Sequence, residues 1–199
     1  MINRRQMLVG AAAGAAGLML SEANALAGKG ALVDSETPVL GNPRGNVTVV
    51  EFFDYQCAYC KWSYPKLKQV IEQDGNVRLV MKDLPVFGAS SVRAATLVLA
   101  ASETGQYKQA LGAMMATHSR LQDSHIDDVL AKAGLNPDVL HDAARRHSDR
   151  IERILARNKG QARAYGLRGT PSFVIGSRVY SGVQSEWALN RAIAAARGA

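Results

Sequence analysis

The chain has 199 residues, a length that suits one domain with a substantial core or a small domain with an insertion. Hydrophobic residues make up 47% and charged residues 21%, which excludes a largely disordered chain. The formal net charge of +7 allows weak attraction to acidic partners or anionic lipid. No basic–aromatic pattern of the RNA-binding kind accompanies that charge, so nucleic-acid binding is not predicted.

The N-terminus has the organisation of an export signal. Arg4 and Arg5 precede an apolar run rich in Ala and Gly, and an Ala-Leu-Ala cleavage site ends at Ala27. Residues 1–27 are therefore predicted to be a signal peptide of the twin-arginine or the Sec type, since paired arginines occur in both. The apolar run is shorter than the roughly 20 residues that span a bilayer, which makes an uncleaved anchor the lesser alternative. We expect a mature protein without stable membrane insertion, in the bacterial periplasm or secreted, where cysteine pairs can be oxidised.

The chain then passes from a lead-in to a strand and a helix. Residues 28–46 are rich in turn formers and too short to be a dimerisation domain. Residues 47–53 form an apolar run interrupted only by Glu51, which predicts a buried central strand. A helix is predicted from near Cys57 to about Gln73, with a kink expected at Pro65. The residues expected on its inner face are Trp62, Leu67, Val70 and Ile71.

The remaining pattern completes an α/β fold with a helical insertion. A second strand is predicted at 77–81, followed by several helices over about 90–166, with helix starts at Ser124 and Asn136-Pro137. Strands at 172–175 and 178–180 form a hairpin across Gly176-Ser177, and a last helix covers about 185–197. The order β-α-β, insertion, β-β-α predicts a thioredoxin fold for residues 47–199, interrupted by the insertion.

Cys57 and Cys60 are the only cysteines in the chain. A cysteine at a helix N-terminus faces unpaired N–H groups and the positive end of the helix dipole, so the pKa of Cys57 should be lowered. Cys60 lies one turn later and can close a disulfide with Cys57, so that Cys57 exchanges with substrate and Cys60 resolves the mixed disulfide. Ala58 and Tyr59, the residues between them, add no positive charge, and Tyr59 is expected to be exposed beside the sulfurs and to touch substrate.

Two further features fit this chemistry. A carboxyl group buried at Glu51 would have a raised pKa and could relay a proton for Cys60, although a hydrogen-bonded core carboxyl is the alternative. A cis bond between Thr170 and Pro171 would place that loop against the cysteines and present backbone groups to an extended substrate, whereas an ordinary trans turn proline would not. Arg168 is expected either to add positive charge near Cys57 or to be a solvated loop residue.

Two segments carry a family resemblance. The run VVEFFDYQCAYC at 49–60 resembles the active-site strand and helix start of DsbA-like thiol–disulfide oxidoreductases, and GLRGTPSFVI at 166–175 is similar to their cis-proline segment. The resemblance implies that Cys57 is the nucleophile, Cys60 the resolving thiol, Glu51 the buried carboxylate and Thr170-Pro171 the cis-proline pair. Ala58 departs from the proline that is usual in relatives, which leaves the redox potential open.

The resemblance implies an exported enzyme that oxidises thiol-containing exported proteins and is reoxidised by a membrane redox partner of the DsbB type. The alternatives are an isomerase or reductase with a reducing partner, and a Cu(I)-binding or redox chaperone. No cofactor and no metal ligands are predicted. A structural disulfide is disfavoured because a Cys-x-x-Cys loop closes little chain entropy, and zinc because no second cysteine pair supplies four ligands. The four histidines, all within the insertion, are expected at the surface or at helix ends.

Overall fold

Five strands form one mixed sheet within the part of the chain that the computed structural model describes, residues 32–118 and 120–198. The predicted signal peptide, 1–27, lies outside these residues. The strands are β1 (Val39–Gly41), β2 (Val47–Phe53), β3 (Val77–Asp83), β4 (Ser172–Ile175) and β5 (Arg178–Ser181). The sheet order is β1-β3-β2-β4-β5, and the β2–β3 pair is parallel whereas the other three pairs are antiparallel.

Seven α-helices surround this sheet in the described residues, with one 3₁₀ turn at Ala101–Thr104. The helices are α1 (Ala58–Asp74), α2 (Ala89–Ala100), α3 (Tyr107–Met115), α4 (Asp123–Lys132), α5 (Pro137–Arg146), α6 (Ser148–Ala164) and α7 (Glu186–Arg197). Five of them, α2 to α6, form the insertion between β3 and β4, as expected. Among them, no helix has both the length and the apolar character to cross a bilayer.

Strand β2 lies at the centre of the sheet, and its side chains are buried on both faces, which explains its near-continuous apolar sequence. Glu51 pairs with Met81 of β3 on one side and with Phe173 of β4 on the other. Strand β3 continues two residues beyond the predicted end at Met81. Both added residues, Lys82 and Asp83, are buried.

Helix α1 begins where the sequence predicted. Cys57 is its N-cap, the helix continues through Pro65, and it ends at Gly75, which adopts a left-handed conformation with φ of 69°. Leu67, Val70 and Ile71 are buried as expected. The inward placement of Trp62 is wrong: its side chain is 58% exposed, and the ammonium of Lys66 lies 3.7 Å from the centre of its ring. The helical period is compatible with an inward position, but the Trp62 ring instead lies at the surface, where it makes a cation–π contact with Lys66.

The insertion follows its predicted helix starts closely. Asn136 caps α5 and accepts a hydrogen bond from the Asp138 N–H, with Pro137 as first helical residue. Helix α4 begins at Asp123, one residue before the expected Ser124.

The lead-in contains a strand that the sequence analysis did not predict. β1 pairs antiparallel with β3 at the sheet edge. Just before it, Asp34 and Glu36 make ion pairs with Arg157 of α6, so this segment is fastened to the insertion as well as to the sheet.

Candidate active site

The reactive end of the molecule is the N-terminus of α1. Cys57 is the N-cap residue, and its Sγ accepts a hydrogen bond from the Cys60 N–H at 3.4 Å. Both cysteines are free thiols. The pKa of Cys57 is lowered to about 6, chiefly because the Cys60 thiol donates a hydrogen bond to its sulfur. Contact with Thr170 and hydrogen bonds from the backbone N–H groups of Cys60 and Tyr59 lower it further, whereas burial opposes the shift.

Cys60 lies in the opposite environment one turn further along α1. Its side chain is fully buried, and burial raises its pKa strongly, with added contributions from the hydrogen bond it donates to Cys57 and from the charge of Glu51. At neutral pH one sulfur is therefore a thiolate and the other a thiol. The separate roles predicted for the two cysteines would require such an inequality.

The Thr170-Pro171 loop lies against the reactive sulfur. The peptide bond between them is cis, as expected, and the Cys57 thiol is 3.3 Å from the carbonyl oxygen of Thr170. Strand β4 begins at the next residue and pairs with β2, which brings residues 113 positions apart into contact. The Ser172 hydroxyl donates a hydrogen bond to the Gly169 carbonyl and closes the loop.

Glu51 lies beneath the cysteine pair, in the middle of β2. It has no solvent exposure, and neither carboxyl oxygen has a hydrogen-bond partner. Burial is the larger cause that raises its pKa to about 8, and the negative charge of Cys57 is the second. Glu51 is therefore a neutral acid at pH 7 that can give up or take up a proton near neutrality.

Asp54 is a residue of the site that sequence reasoning missed. It is buried, and its carboxylate accepts hydrogen bonds from the Gln56 N–H and Ser91 hydroxyl, both at 2.7 Å, and from two N–H groups of the loop after β3. Those two belong to Val86 at 2.7 Å and Phe87 at 3.1 Å. Asp54 thus fastens three segments around Cys57. The signal in the sequence was only its position after β2, because three of its four partners lie 32 to 37 residues later.

An exposed apolar rim surrounds the site. Tyr59 is 69% exposed, as predicted, and Ala58 beside it is also exposed. The loop held by Asp54 adds two exposed apolar side chains, Val86 and Phe87, which the sequence did not single out. The Arg168 side chain is exposed. Scattered apolar residues are common on surfaces, but this group adjoins a reactive sulfur and can contact a polypeptide.

In the described residues, no three side chains of His, Cys, Asp or Glu are grouped so that they could hold a metal ion. His118 is exposed and the other three histidines are partly exposed, as expected. The site brings together a thiol with a lowered pKa, a buried second thiol, a buried carboxyl group with a raised pKa and the backbone of the cis-proline loop. This set is suited to thiol–disulfide exchange.

Comparison with known proteins gives a consistent result. The family model described as "DSBA-like thioredoxin domain" matches residues 48–194. The fold is similar to the crystal structure of a thioredoxin-like oxidoreductase from Silicibacter pomeroyi, with 34% sequence identity and a TM-score of 0.80, over 83% of this chain and 95% of that one. It is also similar to the thiol–disulfide exchange protein alpha-DsbA2 from Wolbachia pipientis, with 25% identity and a TM-score of 0.80, over 90% and 96% of the two chains.

Another relative is a much longer protein than this chain. The chain is 27% identical over 199 residues to the Na⁺/H⁺ antiporter NhaA 3 of Salinispora tropica. The alignment takes in 98% of this chain but only 28% of that protein. The similarity to this relative therefore concerns a part of it.

Proposed function

The chain belongs to the DSBA-like thioredoxin domain family, and we propose that it is an exported thiol–disulfide oxidoreductase that introduces disulfides into substrate proteins through Cys57 and Cys60. The observation that carries this proposal is the pKa difference between the two sulfurs, with Cys57 lowered to about 6 and Cys60 raised. A stabilised Cys57 thiolate favours the reduced protein, and a protein whose reduced form is favoured is an oxidant toward others.

The exchange begins with the Cys57–Cys60 disulfide. A substrate thiolate attacks Sγ of Cys57, the bond between the two cysteines breaks, and its electron pair passes to Cys60. A second substrate thiolate then attacks the substrate sulfur of the mixed disulfide, the substrate disulfide forms, and Cys57 leaves as a thiolate. Its lowered pKa makes it a good leaving group, so this second step is fast.

Glu51 supplies the proton that the first step needs. The Cys60 sulfur gains negative charge in a fully buried position, where that charge is costly. The Glu51 carboxyl group, with a pKa of about 8, is protonated at pH 7. It is close enough to Cys60 for its ionised form to raise the pKa of that thiol, so it can donate its proton to the Cys60 sulfur. In the reverse direction the same group accepts the proton from Cys60.

The substrate is held by the backbone of the cis-proline loop and by the exposed residues around Cys57. The Thr170 carbonyl faces the reactive sulfur, and an extended substrate segment can pair with this edge. Ala58 and Tyr59, which follow Cys57 in the chain, are exposed and contact the same segment. The substrates are thiol-containing exported proteins, and a quinone-linked membrane partner of the DsbB type restores the disulfide in the periplasm.

The equilibrium reduction potential of Cys57–Cys60 against glutathione tests the direction of exchange. A value near ~−120 mV supports the oxidase, and a value approaching ~−270 mV overturns it in favour of a reductase or isomerase with a reducing partner. Stoichiometric Cu(I) capture with little turnover of insulin disulfides would favour the chaperone alternative.

The order of attack has its own test. Cys57→Ser should abolish exchange, whereas Cys60→Ser should retain attack at Cys57 and accumulate mixed disulfides. Mass spectrometry of the Cys60→Ser protein after incubation with a reactive disulfide measures this directly. Full turnover by the Cys60→Ser protein would show that the assigned roles are wrong.

A further inference from the structure

One stretch of the chain beside the reactive sulfur carries positive charge and no acidic residue. Residues 154–185, which run from the middle of α6 through the cis-proline loop and the β4–β5 hairpin to the residue before α7, contain no Asp or Glu. Their cations are Arg157, Lys159, Arg163, Arg168 and Arg178. Of these five, only Arg157 has carboxylate partners among the described residues, Asp34 and Glu36 of the lead-in.

Three of the remaining cations form what we call the basic surface: Lys159, Arg163 and Arg168. All three are exposed, and their side chains make no ion pair or hydrogen bond with any residue that the structure describes. The negative end of the α6 dipole is equivalent to about half a unit charge, so it balances only part of the charge of Arg163 in the last turn. The basic surface therefore presents a net positive charge to solvent.

The basic surface lies at the reactive end of the sheet. Asn158 Nδ2 donates a hydrogen bond to the Asp83 carbonyl at 3.1 Å, so the second half of α6 begins against the last residue of β3. Because β3 is parallel to β2, this is the end of the sheet at which β2 leads into Cys57. Arg168 is two residues from Thr170, which places their Cα atoms within about 7 Å of each other. The Thr170 carbonyl oxygen is in turn 3.3 Å from the Cys57 sulfur.

We propose that the basic surface is a docking site for an acidic segment of the substrate polypeptide, a few residues away from the reacting cysteine. The proposal rests on the proposed exchange at Cys57 and specifies the substrates that react fastest. A substrate segment that pairs with the cis-proline loop and continues toward α6 passes Arg168 and then Arg163 and Lys159, which lie one helical turn apart. Carboxylates along that segment meet charges of opposite sign, which speed association and align the two chains.

The position of the basic surface favours a polypeptide over an anionic lipid surface. A bilayer in contact with Arg168 would cover the cis-proline loop, where the substrate pairs in the proposed reaction. Three cations are also fewer than the roughly four to eight that are typical of a lipid-binding basic cluster.

The first test compares the reactions of the oxidised protein with peptides that contain one cysteine. The peptides carry three Glu or three Gln residues about three positions from the cysteine, on its N-terminal or its C-terminal side. On one of the two sides, the Glu peptide should form the mixed disulfide about 10-fold faster than its Gln counterpart at low salt. This Glu/Gln ratio should approach one in about 0.5 M salt, because screening shortens the range of the interaction. Equal rates for Glu and Gln on both sides at low salt would overturn the proposal.

Charge-removal variants locate the effect. Arg168→Gln and Arg163→Gln should each lower the Glu/Gln ratio at least about 2-fold, and removal of all three charges should bring it close to one. Arg178→Gln is the matched control, because Arg178 is exposed and belongs to the same acid-free stretch but pairs with Ile175, roughly 10 Å along the hairpin from the start of β4. A change in the intrinsic reactivity of Cys57 cancels in a ratio measured within one protein. If Arg178→Gln lowers the ratio as much as Arg168→Gln does, only net charge matters and the docking site is wrong.

A binding measurement separates this proposal from the proposed function. Labelled peptides with Ser in place of Cys cannot exchange, and their fluorescence anisotropy at low salt should show tighter binding of the Glu peptide than of the Gln peptide. The difference should disappear in the variant that lacks all three charges. If this preference is found but no cysteine peptide reacts with the wild-type disulfide, the proposed exchange is wrong and the docking of acidic segments is supported.

The opposite results would overturn the docking site alone. If the cysteine peptides react but neither their rates nor the binding of the Ser peptides depends on Glu, the proposed exchange stands and the basic surface has no role in substrate choice. If removal of the three charges weakens binding only to vesicles that contain phosphatidylglycerol, the basic surface contacts lipid and the polypeptide proposal is wrong.

Discussion

Two carboxyl groups only three residues apart show how differently one buried strand end can use the same chemical group. Glu51 and Asp54 are both almost completely buried. Both oxygens of Glu51 lack a hydrogen-bond partner, whereas Asp54 accepts four hydrogen bonds from the segments around it. The environment of Glu51 therefore fits the proton carrier that we propose, whereas Asp54 links the segments around Cys57.

Burial alone therefore does not assign a role to a carboxyl group, because the hydrogen-bond donors around it decide whether the protonated or the ionised form is stable. The two residues also allow a matched experiment. Replacing each carboxyl by its carboxamide changes size very little, so the two substitutions differ chiefly in what surrounds the group. We expect them to change the free energy of unfolding in opposite directions.

Asp54→Asn should give the largest effect, a loss of about 4 kcal/mol in the free energy of unfolding at pH 7. The amide nitrogen of Asn cannot accept a hydrogen bond, so it would face N–H or O–H donors whichever way the side chain is turned. Urea denaturation of the reduced protein measures this change. A loss below about 1 kcal/mol would contradict the structural role of Asp54.

Glu51→Gln should raise the free energy of unfolding by about 3 kcal/mol at pH 7. The pKa of about 8 in the folded state exceeds the ordinary value of 4.5, so between these pH values the unfolded state has released a proton that the folded state keeps. The wild-type protein therefore loses stability as pH rises from about 4.5 to about 8 through this group.

The pH dependence is the control for that prediction. The two proteins should have similar stability below pH 4.5, where the carboxyl is protonated in both states, and should diverge as pH rises toward 8. Asp83, whose pKa burial raises to about 7, is present in both proteins and cancels in the difference. A constant difference between them from pH 4 to pH 9 would show that Glu51 is not the titrating group.

The same substitution should slow the resolving step by about 10- to 100-fold. In a mixed disulfide at Cys57, the buried Cys60 thiol must lose its proton before it attacks, and Gln cannot accept one. Release of a chromogenic thiol from the mixed disulfide in a single turnover measures the rate. The wild-type rate should rise with pH as Glu51 loses its proton and then level off, and the variant should lack that inflection. Unchanged release by the variant would limit Glu51 to a role in stability.

The sequence was sufficient where the chemistry depends on neighbours along the chain. Cys57, Cys60 and Glu51 lie within ten residues, and the N-cap position of Cys57 follows from the strand and helix patterns on either side of it. Thr170-Pro171 was identified from its own motif, and the antiparallel pairing of β4 with β2 accounts for its contact with Cys57.

The sequence was insufficient where a side chain depends on distant partners. Asp54 looks like an ordinary polar residue after a strand until the loop at Val86 and Phe87 folds against it. Lys82 lies at the end of an apolar strand, and its burial is intelligible only because Asn158 of α6 accepts a hydrogen bond from it at 3.2 Å. The predicted burial of Trp62 was wrong for a related reason. Helical periodicity gives the direction of a side chain but does not show whether another element covers it.

Ser90 and Ser91 test whether hydrogen bonds to a buried carboxylate contribute more than those to an exposed one. Ser91 donates to the buried Asp54, whereas Ser90 donates to the exposed Asp123. The Ser91 hydroxyl is 2.7 Å from Asp54, and the Ser90 hydroxyl is 3.1 Å from Asp123 in an exposed pair. Ser91→Ala should lower the free energy of unfolding by about 1.5 kcal/mol, since it removes one of four donors from a buried charge. Ser90→Ala should cost less than about 0.5 kcal/mol, because water replaces the lost donor. Both serines occupy the first turn of α2, so the helix-propensity change is shared. Equal losses in parallel urea denaturations would mean that the hydrogen bonds to Asp54 contribute no more than a surface contact.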